Sequence, residues 1–243
     1  MSSDGKQNAV SRPAQGAGEV DAFLRKAAAV PAVAAGKRGR LVFALDATMS
    51  RQPTWDLAQG LQGRMFEAAG ALGGLDVQLV FFRGAAECRA SGFIANGAGL
   101  AALMAKISVR GGPTQIGRVL EHVRDETRRA PIGAVIYVGD AMEENVDALC
   151  GLAGELGLLG VKIFTFHEGA DAMVANAFRQ IARLTGGAYA AFDQSAPLRL
   201  ASLLAAAAAY AAGGSQALEA MALEPKGDAA RLLLTQMRQG RAS

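Results

Sequence analysis

Three sets of oxygen-bearing residues stand out along the 243-residue sequence. Asp46, Thr48 and Ser50 follow one another at a spacing of two in "DATMS". Thr114 lies in the loop-like stretch "GGPTQIG", and Asp140 lies in "VGDAMEE". No histidine or cysteine belongs to the three sets, so the donors on offer are two carboxylates and three hydroxyls. That inventory suits a hard divalent cation such as Mg²⁺, which takes about six oxygens and keeps some of its waters. A spacing of two sends alternate side chains to the same side of an extended segment. With hydroxyls directly on the ion and carboxylates acting largely through water, such a centre stays electrophilic. It would accept a carboxylate from another molecule as a last ligand.

These residues must be brought together by the elements around them. "LVFALD" (41–46) reads as a buried strand that ends on Asp46, and a helix follows near 53–72, with Pro53 in its first turn. Strands are expected at 77–84, 87–93, 132–140, 161–166 and 188–192. Helices are expected at 97–107, from Ile116, from Asn145, from Asp171 and over about 195–212. Strands that are apolar throughout are buried on both faces, and their alternation with helices builds a mostly parallel, doubly wound sheet. The link between 77–84 and 87–93 is too short for a crossover, so that pair is antiparallel. The expected fold is therefore α/β: six strands, five parallel and one antiparallel at an edge, with helices on both faces. Ligands of such sheets sit outside the carboxyl ends of the strands, where Asp46 and Asp140 fall.

At residue level the motifs resemble the metal-ion-dependent adhesion site (MIDAS) of von Willebrand factor A (vWA) domains, over about residues 38–212. That pattern is Asp-x-Ser-x-Ser, then a Thr in a second loop, then an Asp after a central strand. The resemblance implies that Asp46, Thr48, Ser50, Thr114 and Asp140 form a metal site for Mg²⁺ or Mn²⁺. Thr48 stands for the usual Ser and keeps the hydroxyl. The resemblance also implies a Rossmann-like fold and a non-enzymatic, cytoplasmic interaction module. Its partner would be a protein with an exposed acidic residue, with an ATPase or chaperone-like protein as one class.

Composition agrees with a folded chain. Hydrophobic residues make up 51% and charged residues 19%, which argues against extensive disorder. Net charge is +4 in residues 1–40, +1 in 213–243 and −2 between them. The basic excess thus sits at the ends and gives poor support for a nucleic-acid-binding face. Cys88 and Cys150 form no C-x-x-C and suit a reducing compartment. No signal-peptide pattern and no stretch of membrane-spanning length is evident. The expected organisation is a disordered segment at 1–37 with room for a short helix, the vWA-like domain at 38–212, and a C-terminal tail at 213–243. Asp228 would cap a short helix in that tail, which either docks on the domain or binds a partner.

Two other functions fit parts of the pattern. A metal-free scaffold would use Thr48 and Ser50 only as helix caps. A magnesium-dependent phosphohydrolase would use Asp46 as nucleophile, but it needs an acid two residues on, where Thr48 stands. Glycines 111 and 112 are not followed by G-K-[ST], so their expected task is to let the backbone bring Thr114 close to the ion. Glu143 and Glu144 are expected to cap the following helix or to rim the site. Trp55 is read as a packing residue or an interface anchor. His167 is read as a loop residue or a flank of the site, and His122 as a surface residue.

Overall fold

The computed structural model describes residues 38–48, 52–70, 72–193 and 195–240, with only the backbone of 52–54. Segment 1–37, including the expected helix, lies outside the described residues, and so does Ser50. Six strands form one sheet: β1 (Gly39–Asp46), β2 (Leu75–Arg83), β3 (Glu87–Ile94), β4 (Ala134–Gly139), β5 (Ile163–Glu168) and β6 (Ala188–Phe192). The helices among the described residues are α1 (Gln52–Leu61), α2 (Gly63–Gly70), α3 (Gly97–Met104), α4 (Ile116–Arg129), α5 (Val146–Leu158), α6 (Ala172–Leu184), α7 (Pro197–Ala222) and α8 (Asp228–Gln239).

The sheet order is β3-β2-β1-β4-β5-β6. All pairings are parallel except β2–β3, as the short link between them requires. Strand order reverses between β1 and β4: β2 and β3 are added on one side of β1, and β4 to β6 on the other. Such a switch point leaves a crevice at the carboxyl ends of the two strands. Asp46 closes β1, and Asp140 follows β4 immediately, so both fall at this crevice.

Strand alternation explains why both faces are covered. Leu41, Phe43 and Leu45 of β1 enter one core with Trp55, Met65, Leu103, Leu204 and Leu233, from α1, α2, α3, α7 and α8. Val42 and Ala44 point the other way and join Val119, Leu149 and Phe178, from α4, α5 and α6. Each such Leu, Val or Phe contributes roughly 1.5–3 kcal/mol by leaving water. Three helices start on side-chain caps: Asn96 accepts from Gly99 N at 2.8 Å, Asn145 from Ala148 N at 2.9 Å, and Asp171 from Met173 N at 2.8 Å.

Two helices differ from the pattern read in the sequence. The helix expected over 53–72 is two, α1 and α2, separated at Gln62. The helix expected to stop near 212 runs to Ala222, with a kink at Gly214, where φ is +66°. Beyond the kink Leu218 is fully buried, and α8 adds Ala230 and Leu233, also fully buried. The segment after Gly213 therefore packs against the rest of the described chain.

Candidate metal centre

Asp46 is the last residue of β1 and is almost wholly buried. Its Oδ1 accepts the N–H of Thr48 at 2.8 Å, a local turn that bends the chain away from the sheet. Between them, Ala47 ties two other segments to this bend. Its N–H donates to Phe82 O at 3.0 Å, and its C=O accepts from Arg110 N at 3.0 Å. The loop that carries Thr114 is thus fastened to the end of β1.

That loop also lies directly on the β2–β3 turn. Gly84 N donates to Arg110 O at 3.2 Å, and Gln115 Nε2 donates to Gly84 O at 3.1 Å. A Cβ on Gly112 would lie 2.3 Å from the Gly84 carbonyl, so glycine is required there by close backbone approach. Arg83 braces the same turn. It pairs with Glu87 at 2.9 and 3.1 Å and donates to the backbone carbonyl of Ser108.

The loop after β4 supplies the third side. The Glu143 carboxylate accepts Thr114 N at 2.7 Å, and Glu143 N donates to Thr114 Oγ1 at 3.1 Å. Glu144 accepts from Ile116 N and Gly117 N, both at 2.8 Å. It therefore caps α4, a helix whose own N-cap residue, Gln115, makes no side-chain cap. The following helix, α5, is capped by Asn145 instead. The sequence left the acidic pair to cap the following helix or to rim the site; Glu143 lines the cleft, and Glu144 caps the preceding helix α4 rather than α5. The contacts join residues 27 to 29 positions apart, which no local pattern signals.

Asp46, Thr48 and Thr114 line one cleft of about 160 Å³, together with Gly111, Gly112, Ala141 and Glu143. Asp140 is not among the residues lining it, although its neighbour Ala141 is. Among the described lining residues none is basic, and Asp46 and Glu143 contribute carboxylates. Hydroxyl and carboxylate oxygens around a small cleft fit a hard divalent cation. Among the described residues no cluster of three or more His, Cys, Asp or Glu side chains is placed to hold a metal. Any metal there would depend on the hydroxyls.

His167 is a buried side chain at the end of β5, with no solvent exposure. Its Nδ1 lies 3.1 Å from the Tyr189 hydroxyl, and its ring meets Phe178 edge-on at 5.5 Å. Burial pushes its pKa down, while Asp171 and the backbone and carboxylate of Asp140 pull it up. It is thus a packed neighbour of Asp140 rather than a loop residue. Trp55 is buried as well. It donates to Met104 O at 3.3 Å and meets Phe81 edge-on.

Known structures share this architecture. The SpRpn10 VWA domain superposes with a TM-score of 0.54 at 11% identity, covering 67% of this chain and 95% of that one. The vWF domain of the type V pili tip protein Mfa5 from Porphyromonas gingivalis gives 0.53 at 11%, covering 72% and 95%. Proximal thread matrix protein 1 from the mussel byssus, with a zinc-occupied MIDAS motif, gives 0.56 at 16%, covering 69% of this chain and 45% of that one. The fold is vWA-like. At these identities the likeness extends to the fold alone. No sequence-family profile matches the chain, and no curated protein matches it either. The vWA-like domain places its switch-point crevice where Asp46 and Thr114 meet. Among the described residues, no helix is long and apolar enough to cross a membrane.

Proposed function

We propose that this chain is a non-enzymatic protein-interaction module that works through a divalent cation. Asp46, Thr48, Ser50, Thr114 and Asp140 would hold Mg²⁺ or Mn²⁺, and an acidic side chain of a partner protein would complete the coordination. The observation that carries this reading is the convergence of Asp46, Thr48 and Thr114 on one small cleft. Sequence-distant segments, fastened through Ala47 and Gly84, deliver oxygen donors to a single place. The mussel protein, which shares the fold and has a zinc-occupied MIDAS motif, supports a divalent ion as the ligand in this reading. The cation's task in this reading is to attract and orient a carboxylate. The chain's own task is to fix the oxygens.

Enzymatic use of Asp46 as a phosphoryl acceptor has little support. An acid two residues on is what that chemistry needs, and Thr48 does not transfer protons at neutral pH. The two free cysteines suit a cytoplasmic setting, where an ATPase or a chaperone-like protein is a suitable class of partner. The test is capture from a cell extract in Mg²⁺ and in chelator, with wild type and Asp46→Ala. The reading expects partners that are retained only with metal and only by wild type. Capture that is indifferent to both changes would contradict it.

A further inference from the structure

The cation-capture reading assigns no task to Glu143, yet this residue lines the same cleft as Asp46, Thr48 and Thr114. An exposed glutamate ordinarily turns its carboxylate to water. Here the side chain is exposed but folds back, so that its Oε2 accepts the N–H of the nearly buried Thr114 at 2.7 Å. The bond is reciprocated through the backbone, because Glu143 N donates to Thr114 Oγ1 at 3.1 Å. One contact fixes the loop, and the other brings a further negative charge to the cleft.

Charge counting gives that placement a consequence. In the cleft the Asp46 carboxylate offsets one of the two charges of a divalent cation. Glu143 offsets the other, which removes the net positive charge that would draw in another carboxylate, and like charges at close range oppose its entry. The exposure of Glu143 gives it room to leave. Glu144 is held separately, at the start of α4.

Resting on the cation-capture reading, we propose that Glu143 is a displaceable internal competitor for the acidic ligand. Folded back, it holds Thr114 and repels incoming carboxylates. Swung out, it opens the cleft to one. Glu143 thereby sets a threshold that a weakly acidic or poorly oriented partner does not pass.

The test uses the full chain, Mn²⁺ and acetate as the probe carboxylate. Mn²⁺ binding is measured by calorimetry, and acetate contact by the broadening of its proton signal in the Mn²⁺-loaded protein. Glu143→Gln keeps an oxygen for Thr114 N and removes the charge, and Glu143→Ala removes both. Thermal midpoints establish that each variant is folded. In both variants, acetate is expected to bind the loaded protein about tenfold more tightly than in wild type. Unchanged or weaker acetate contact in loaded, folded variants overturns the role of Glu143 and leaves the metal site standing. Failure of wild type to bind Mn²⁺ overturns both.

Discussion

Gln236 of α8 makes both backbone hydrogen bonds of Tyr189 in β6, accepting its N–H at 2.9 Å and donating to its C=O at 2.7 Å. β6 is an edge of the sheet, so this one amide stands in for part of a missing neighbour strand. Met237, next to it, is buried with Leu233 in the core under the sheet. Gln236→Ala leaves two partly buried backbone groups without this partner. It should cost about 1–3 kcal/mol, read as a lower urea midpoint with an unchanged slope. An unchanged midpoint would show that α8 is not needed to satisfy β6.

Gly112 tests the rigidity of the Thr114 loop. An alanine there places its Cβ against the backbone of Gly84, so the loop must move. Gly112→Ala should destabilise the protein by about 1–3 kcal/mol and weaken Mn²⁺ binding as Thr114 is displaced. Gly111→Ala is the control, since a Cβ there meets nothing within 4 Å. Equal effects from the two substitutions would remove the close approach as the reason for glycine at 112.

Much of this fold was legible in the sequence. The apolar runs "LVFAL" and "AVIYVG" are central strands because nothing polar interrupts them, and they occupy β1 and β4 at the middle of the sheet. The short link at Gly84 announced the antiparallel pair. The break at Gln62 was not legible, because Gly60 and Gly63 beside it are only weak helix breakers next to a run of good formers. Gly213–Gly214 misled in the opposite sense. A glycine pair reads as a helix end, but burial of Leu218 restarts the helix after one residue at positive φ. At the site, spacing alone put Asp46 and Thr48 at the end of β1. The pairing of Glu143 with Thr114 was not legible, since it joins two loops that only the sheet order brings together.

His122 makes stability sensitive to mild acid. It is half-buried on α4, not a free surface residue, and its Nε2 lies 3.0 Å from Gln78 Oε1. Because that oxygen only accepts, Nε2 carries the proton of this bond. Burial lowers the pKa below the ordinary 6.5, with Arg129 adding to it and Glu126 and Asp125 opposing. The unfolded chain therefore binds a proton first as pH falls, and stability drops from about pH 6.5 down through the folded pKa. His167 shifts in the same direction. His122→Gln should flatten part of this loss in denaturant melts between pH 5 and 7. An unchanged profile would assign the loss to other groups.

Cys88 should be a slow thiol. Burial, opposed by Arg118, pushes its pKa up to about 11 from 9.0. The thiolate is the reactive form, so labelling of the native protein at pH 8 should run about ten- to a hundredfold slower than in denaturant. Equal rates in the two states would show that the side chain is open to solvent.

The central claim is that Asp46 and Thr114 belong to one cation site. Calorimetric titration of Mn²⁺ into wild type, Asp46→Ala and Thr114→Ala, each shown to be folded by circular dichroism, tests it most directly. The account predicts one ion per wild-type chain and at least about tenfold weaker binding in each variant. No binding by wild type, or equal binding by all three folded proteins, would contradict it.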